Sequence, residues 1–163
     1  MTGAAGFVGS EIARALLKNG YEVRALLRPG ESDENIKGLN IEIAYGDVRD
    51  TSAIAQAMTG IDYLFHTASL YTLSHWYNFR PKTLYDINIE GVRTGCQAAL
   101  DAGVKKVIYT GSTASIGCVK NKPTGEDMKF NMLGTRSHYE KSKALGEKTA
   151  LSFHQKGLQV VSV

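Results

Sequence analysis

Stretches that read as strands alternate with stretches that read as helices along this chain, and that alternation selects a parallel α/β sheet over a helical bundle or a β-sandwich. Val8, Ile12 and Leu16 recur at helical spacing, and Gly20 closes that helix. Residues 21–27 read as a strand broken by Pro29-Gly30, and 41–45 as a short strand ended by Gly46-Asp47. Asp50, Thr51 or Ser52 caps a helix running to about Met58, and a strand follows over 61–66. Pro81 suits the first turn of a helix reaching Ala102, stopped by Gly103. Residues 104–110 form a buried type of strand, 116–134 look irregular, 136–156 read as a helix ended by Gly157, and 158–163 as a last strand.

The 163 residues suffice for one domain with a real core, here spanning 1–163. An apolar fraction of 43% and a net charge of +3, with no basic block, fit a soluble domain and give no sign of a nucleic-acid tail. Cys96 and Cys118 form neither a zinc spacing nor a redox pair, which fits a reduced, cytoplasmic setting, and no histidine shows metal-ligand spacing, so no metal is expected. No stretch is long and apolar enough to span a membrane.

The chemistry-bearing features come in order. Thr2-Gly3-Ala4-Ala5-Gly6-Phe7-Val8-Gly9 opens the first helix. Backbone N–H groups at a helix N-terminus hold a pyrophosphate, and glycines leave room for it. The spacing of Gly3, Gly6 and Gly9 is one residue wider than the usual dinucleotide fingerprint, and a plain glycine-rich turn is the competing reading. After the second strand the chain offers Ala25-Leu26-Leu27-Arg28, with no acid at the strand end, which favours a 2′-phosphate and hence NADP over NAD; Arg28 as a mere surface arginine is the alternative. Asp47 and Val48 are placed to meet an adenine, although Asp47 also suits a turn cap. Tyr139 and Lys143, four apart, share a helix face, and a cation near a phenol favours the phenolate. Ser112 follows a strand, where ligands of open α/β sheets bind. A Tyr/Lys pair alone arises often by chance, and its weight comes from its place after the glycine loop and the serine. His66 is read as packed rather than as a base. The aromatics Tyr71, Trp76, Tyr77 and Phe79 line a pocket or merely pack, and the 120–134 loop, with Met128, Phe130 and Met132, is either a cover or a surface excursion.

Together these motifs resemble the extended short-chain dehydrogenase/reductases, the NAD-dependent epimerase/dehydratase family, and within it the dihydroflavonol-4-reductase-like group that includes hopanoid-associated sugar epimerases. TGAAGFVGS resembles its cofactor loop, GDVRD its adenine segment, HTAS its stretch behind the nicotinamide ribose, DINIEGVRTG the helix with its structural Asn88, YTGSTASIG its serine strand and HYEKSK its Tyr/Lys motif. The resemblance implies a Rossmann-type doubly wound, three-layer parallel sheet. It implies catalytic Ser112, with Thr113 as runner-up, Tyr139 and Lys143. It implies cofactor contacts by Gly3, Gly6, Phe7, Val8, Arg28, Asp47, Val48, Thr67, Ala68, Ser69, Tyr139 and Lys143. NADP is the expected cofactor with NAD as the alternative, and the expected partner is a carbonyl, alcohol or sugar-nucleotide substrate. The expected activity is hydride transfer to or from that substrate. An epimerase/dehydratase that reduces its cofactor transiently and a non-catalytic NADP sensor are the alternatives. Against the family pattern, a strand before the glycine loop and a C-terminal substrate domain are expected to be missing, which reads as a truncated, weakly stable and largely inactive chain. The helices ending near Ala102 and Lys156 are the expected homodimer faces.

Overall fold

In the computed structural model, residues 1–71, 81–131, 134 and 137–163 are described. The order is α1 (Phe7–Lys18), β1 (Arg24–Leu27), β2 (Glu42–Tyr45), α2 (Thr51–Met58), β3 (Tyr63–His66), α3 (Pro81–Tyr85), α4 (Gly91–Asp101), β4 (Lys106–Tyr109), α5 (His138–Ser152) and β5 (Val160–Ser162). All named strands pair in parallel: β1 with β2, and β3 with β4 and then β5. The two groups meet through Thr2, which bridges Leu26 on one side and His66 on the other. Thr2 N–H donates to Phe65 C=O at 3.0 Å, and Leu26 N–H donates to Met1 C=O at 2.9 Å. Met1 and Thr2 thus occupy the centre of the strand order β2–β1–Thr2–β3–β4–β5, the position the first strand takes in a doubly wound sheet. Below them lies an open cleft of about 920 Å³, lined by Val23, Arg24, Ile61, Tyr63, Phe65 and Ile108 among others.

Strand alternation sends side chains to two cores. Leu26, Leu64, Val107, Tyr109 and Val160 pack with Ile54, Val92, Cys96, Ala150 and Phe153 from α2, α4 and α5 and the turn after α5. Ala25 and Leu27 face the other way, onto Ala13 of α1 and Ile36 of a short 3₁₀ turn. Full burial of Leu27, Ile54 or Phe153 each contributes roughly 1.5–3 kcal/mol. Among the described residues the α1-side layer packs on Met1, Ala25, Leu27 and Phe65, and Tyr63, Val161 and Val163 are exposed.

Strands begin one to three residues later than hydrophobicity suggests; the first starts at Arg24 rather than Tyr21, with Val23 C=O already accepting from Glu42 N–H at 2.9 Å. The helix expected from 81 to 102 is interrupted by a π turn over Asp86–Glu90, which carries Asn88. Of the three candidate caps, Asp50 does the work: its carboxylate accepts from Ser52 N–H at 2.9 Å and Ala53 N–H at 3.1 Å. Ser137 caps α5, accepting from Glu140 N–H. Trp76, Tyr77, Phe79 and Met132 lie outside the described residues.

Candidate functional site

The C-terminal ends of β1 and β2, the glycine loop and the segment after β3 enclose one pocket, lined by Gly3, Gly6, Arg28, Asp47, Val48, Thr67, Ala68 and Ser69. Eight residues singled out in the sequence therefore converge there. Leu26, Glu31, Gly46, Leu70 and Ile87 complete the lining, and of these Glu31 and Leu70 fall in none of the motifs read from the sequence.

Gly3 adopts φ +69°, and a Cβ on it would lie 2.7 Å from both Ala68 N and Thr67 Oγ1. A Cβ on Gly9 would lie 2.0 Å from Gly3 O, so the first turn of α1 seats directly on the loop. Gly6 caps α1 without any side-chain hydrogen bond, and the first turn holds no acidic residue. The opening N–H groups of α1 are thereby left to an outside acceptor, with the positive end of the helix dipole behind them. Phe7 and Val8 turn their side chains to solvent, and neither lines the pocket. This uncapped, side-chain-free cradle fits a dinucleotide pyrophosphate.

Behind the cradle, Thr67 Oγ1 donates to Thr2 C=O at 2.6 Å, and Ala68 N–H donates to Thr2 Oγ1 at 3.3 Å. His66 is buried, with Nδ1 3.3 Å from Thr2 Oγ1 and its ring stacked on Tyr109 at 6.1 Å. Burial, then the cations of Lys143 and the N-terminus, push its pKa down to about 3. It is a packed neutral histidine, as read.

Asp47 accepts two bonds from the Arg49 guanidinium, at 2.8 and 2.7 Å, and one from Arg49 N–H at 2.9 Å. Those bonds, led by the side-chain one, hold its carboxyl below the usual range. Asp47 thus holds Arg49 in its local turn while lining the pocket.

Asn88 joins the pocket to α5. It is buried, accepts from Leu70 N–H at 2.7 Å and Ser69 Oγ at 3.1 Å, and donates to Leu70 C=O at 3.0 Å and Ser142 Oγ at 2.9 Å. With both faces of its amide used, it ties the segment after β3 to the helix carrying Tyr139 and Lys143. Tyr71 meets Tyr139 edge-on at 4.9 Å between ring centroids. Ser112 caps a 3₁₀ turn packed on α5, and its Oγ accepts from Ala114 N–H at 3.1 Å and donates to no group among the described residues. Thr113 is exposed at the start of that turn.

Lys143 is only 4% exposed. Its Nζ donates to Thr110 C=O at 2.9 Å and sits 4.9 Å from the centre of the Tyr109 ring. Burial lowers its pKa to about 8, against a smaller upward pull from Glu147. The Tyr139 hydroxyl makes no hydrogen bond among the described residues, so the ammonium is anchored beside the tyrosine helix rather than spent on the phenol. A ¹³Cε NMR titration is expected to show Lys143 losing its proton with a midpoint near pH 8, because burial penalises the charged form. A midpoint with the bulk lysines, near the unperturbed value of about 10.4, would refute this.

Among the described residues no group of His, Cys, Asp and Glu is placed to hold a metal, and no helix is long and apolar enough to cross a membrane.

An open parallel sheet with an uncapped glycine loop at its centre, and a Tyr/Lys helix beside it, defines a dinucleotide-binding Rossmann domain of the short-chain dehydrogenase/reductase type. The chain belongs to the NAD dependent epimerase/dehydratase family, which it matches over residues 1–163. It is 33% identical to sterol demethylase protein B of Methylococcus capsulatus, covering 100% of this chain and 49% of that protein. It is 36% identical to a Synechocystis protein named "Putative dihydroflavonol 4-reductase", covering 100% and 47%. A dTDP-glucose 4,6-dehydratase from Streptomyces venezuelae, solved with NAD bound, superposes with a TM-score of 0.86 at 27% identity, over 99% of this chain and 53% of that one. The chain spans about half the length of the relatives it matches.

Proposed function

We propose that this domain binds NADP(H) in the Gly3–Gly6–Arg28 pocket and carries the catalytic residues of a reductase that moves hydride between the nicotinamide and a carbonyl or alcohol. The observation that carries the reading is the convergence of the side-chain-free cradle with the buried Lys143 on the Tyr139 helix, joined through Asn88. The bound nicotinamide supplies or accepts the hydride. Tyr139 holds the proton to be exchanged with the substrate oxygen, at a hydroxyl with no competing bond among the described residues. The Lys143 ammonium, on the same helix and fixed by Thr110 C=O, supplies a positive charge to the site. Ser112 donates its hydroxyl hydrogen, unpaired among the described residues, to the same oxygen. Asn88 holds the pocket wall against α5 so that these groups keep their spacing.

Arg28, at the end of β1 on the pocket rim, supports NADP over NAD, since a guanidinium matches a phosphate. The name of the 36% identical Synechocystis relative supports a reductase. Likeness to a sugar-nucleotide dehydratase solved with NAD favours a second reading, an epimerase or dehydratase that regenerates its cofactor. Calorimetric titration separates the cofactors: NADPH is expected to bind more tightly than NADH, and Arg28→Ala to narrow the difference. Equal affinity before the substitution would defeat the NADP assignment. Net oxidation of added NADPH with substrate supports the reductase, whereas product formation with no net change in cofactor supports the second reading.

A further inference from the structure

The cofactor preference is not set by Arg28 alone. Arg28-Pro29-Gly30-Glu31 closes a turn in which Glu31 N–H donates to Arg28 C=O at 3.0 Å and Gly30 takes φ +78°, the left-handed position that suits glycine third in such a turn. The turn brings back the Glu31 carboxylate. One oxygen, Oε2, accepts from Arg28 N–H at 2.9 Å and from Arg28 Nε at 3.3 Å. Glu31 is the more sheltered partner, with its side chain 26% exposed against 60% for Arg28. Both line the pocket beside Gly3, Gly6 and Asp47. Oε1 and both Nη groups of Arg28 make no hydrogen bond among the described residues.

Resting on the proposed cofactor reading, we infer that Glu31 is the specificity-determining residue of this pocket, a carboxylate that keeps the preference for NADP small. The end of β1 presents an acid and a base side by side. A bare ribose hydroxyl donates to the free carboxylate oxygen, while a 2′-phosphate gains Arg28 and meets the like charge of Glu31. The acid is absent from the strand end in sequence and arrives there only through the Pro-Gly turn. The other carboxylate lining the pocket, Asp47, gives both oxygens to Arg49, whereas Glu31 gives only Oε2 to Arg28.

The test is titration of this chain with NADP and NAD, before and after Glu31→Gln. The amide keeps an acceptor for Arg28 N–H, so the turn survives, and only the charge is lost. The ratio of NAD to NADP dissociation constants is expected to rise about 5- to 10-fold, mostly through tighter NADP, and to rise less at high salt. Glu31→Lys extends the shift in the same direction, and unchanged far-UV circular dichroism confirms that each variant is folded. An unchanged ratio in a folded variant that binds both cofactors overturns the role of Glu31 and leaves the pocket assignment standing. Failure of the unaltered chain to bind either cofactor overturns the pocket assignment, and this inference with it.

Discussion

Replacing Tyr139 by Phe is expected to lower turnover by about 10²–10⁴-fold while dinucleotide binding changes by no more than about twofold. The ring remains to pack edge-on against Tyr71, so the helix and the pocket wall keep their form. Only the proton-bearing oxygen is removed. Lys143, four residues on along the same helix, has a pKa near 8, so most of it is charged at pH 7. Because the relatives run to about twice this length, turnover is measured on a protein extended to that length, and binding on the chain itself. Turnover equal to that of the unaltered protein would remove Tyr139 from the chemistry.

Gly9→Ala is expected to have the largest effect on the cradle. The added carbon would sit 2.0 Å from Gly3 O, a backbone atom that cannot rotate away. Either α1 withdraws from the loop or Gly3 leaves φ +69°, and both change the spacing of the N–H groups aimed at the pocket. Overpacking of this kind costs about 1–3 kcal/mol, which for a domain of this size lowers the melting temperature by several degrees. Dinucleotide binding is expected to fall at least about 100-fold, the equivalent of roughly 2.7 kcal/mol. Gly6→Ala makes the control, since its Cβ would lie 3.2 Å from Gly3 O, where a few tenths of an ångström of adjustment suffice. Its melting temperature is expected to stay closer to that of the parent. Thermal melts that place both variants together would show that the close seat of α1 on the loop has been misread.

Much of this site is legible in the sequence because its parts are local. The glycine triplet, the Asp50 cap and the Tyr139/Lys143 spacing depend on neighbours within a turn or two. The helix carrying the pair hides its character, however. Its buried face is Ser142, Lys143, Gly146 and Ala150, small or polar residues that leave little hydrophobic periodicity to read. That face is buried because α4, the π turn and the segment after β4 close over it, and none of these is near in sequence. Glu31 escapes for the same kind of reason: it lies four residues beyond the strand end and returns only when the Arg28 turn closes. The late strand starts reflect pairing, which begins where a partner is in register rather than where apolar residues begin.

The residue order by itself determined the alternation of strands and helices, the glycine loop at the head of α1 and the chemical kind of the Tyr139, Lys143 and Ser112 groups, since these follow from local propensity and spacing. Only the tertiary structure decided that Thr2 joins the two halves of the sheet, that Asn88 ties the pocket to α5, that Lys143 is dehydrated against Thr110 and Tyr109, and that Glu31 stands beside Arg28. Those arrangements depend on the burial and hydrogen-bond partners of residues far apart in the chain, which exist only once the sheet has brought the strand ends together.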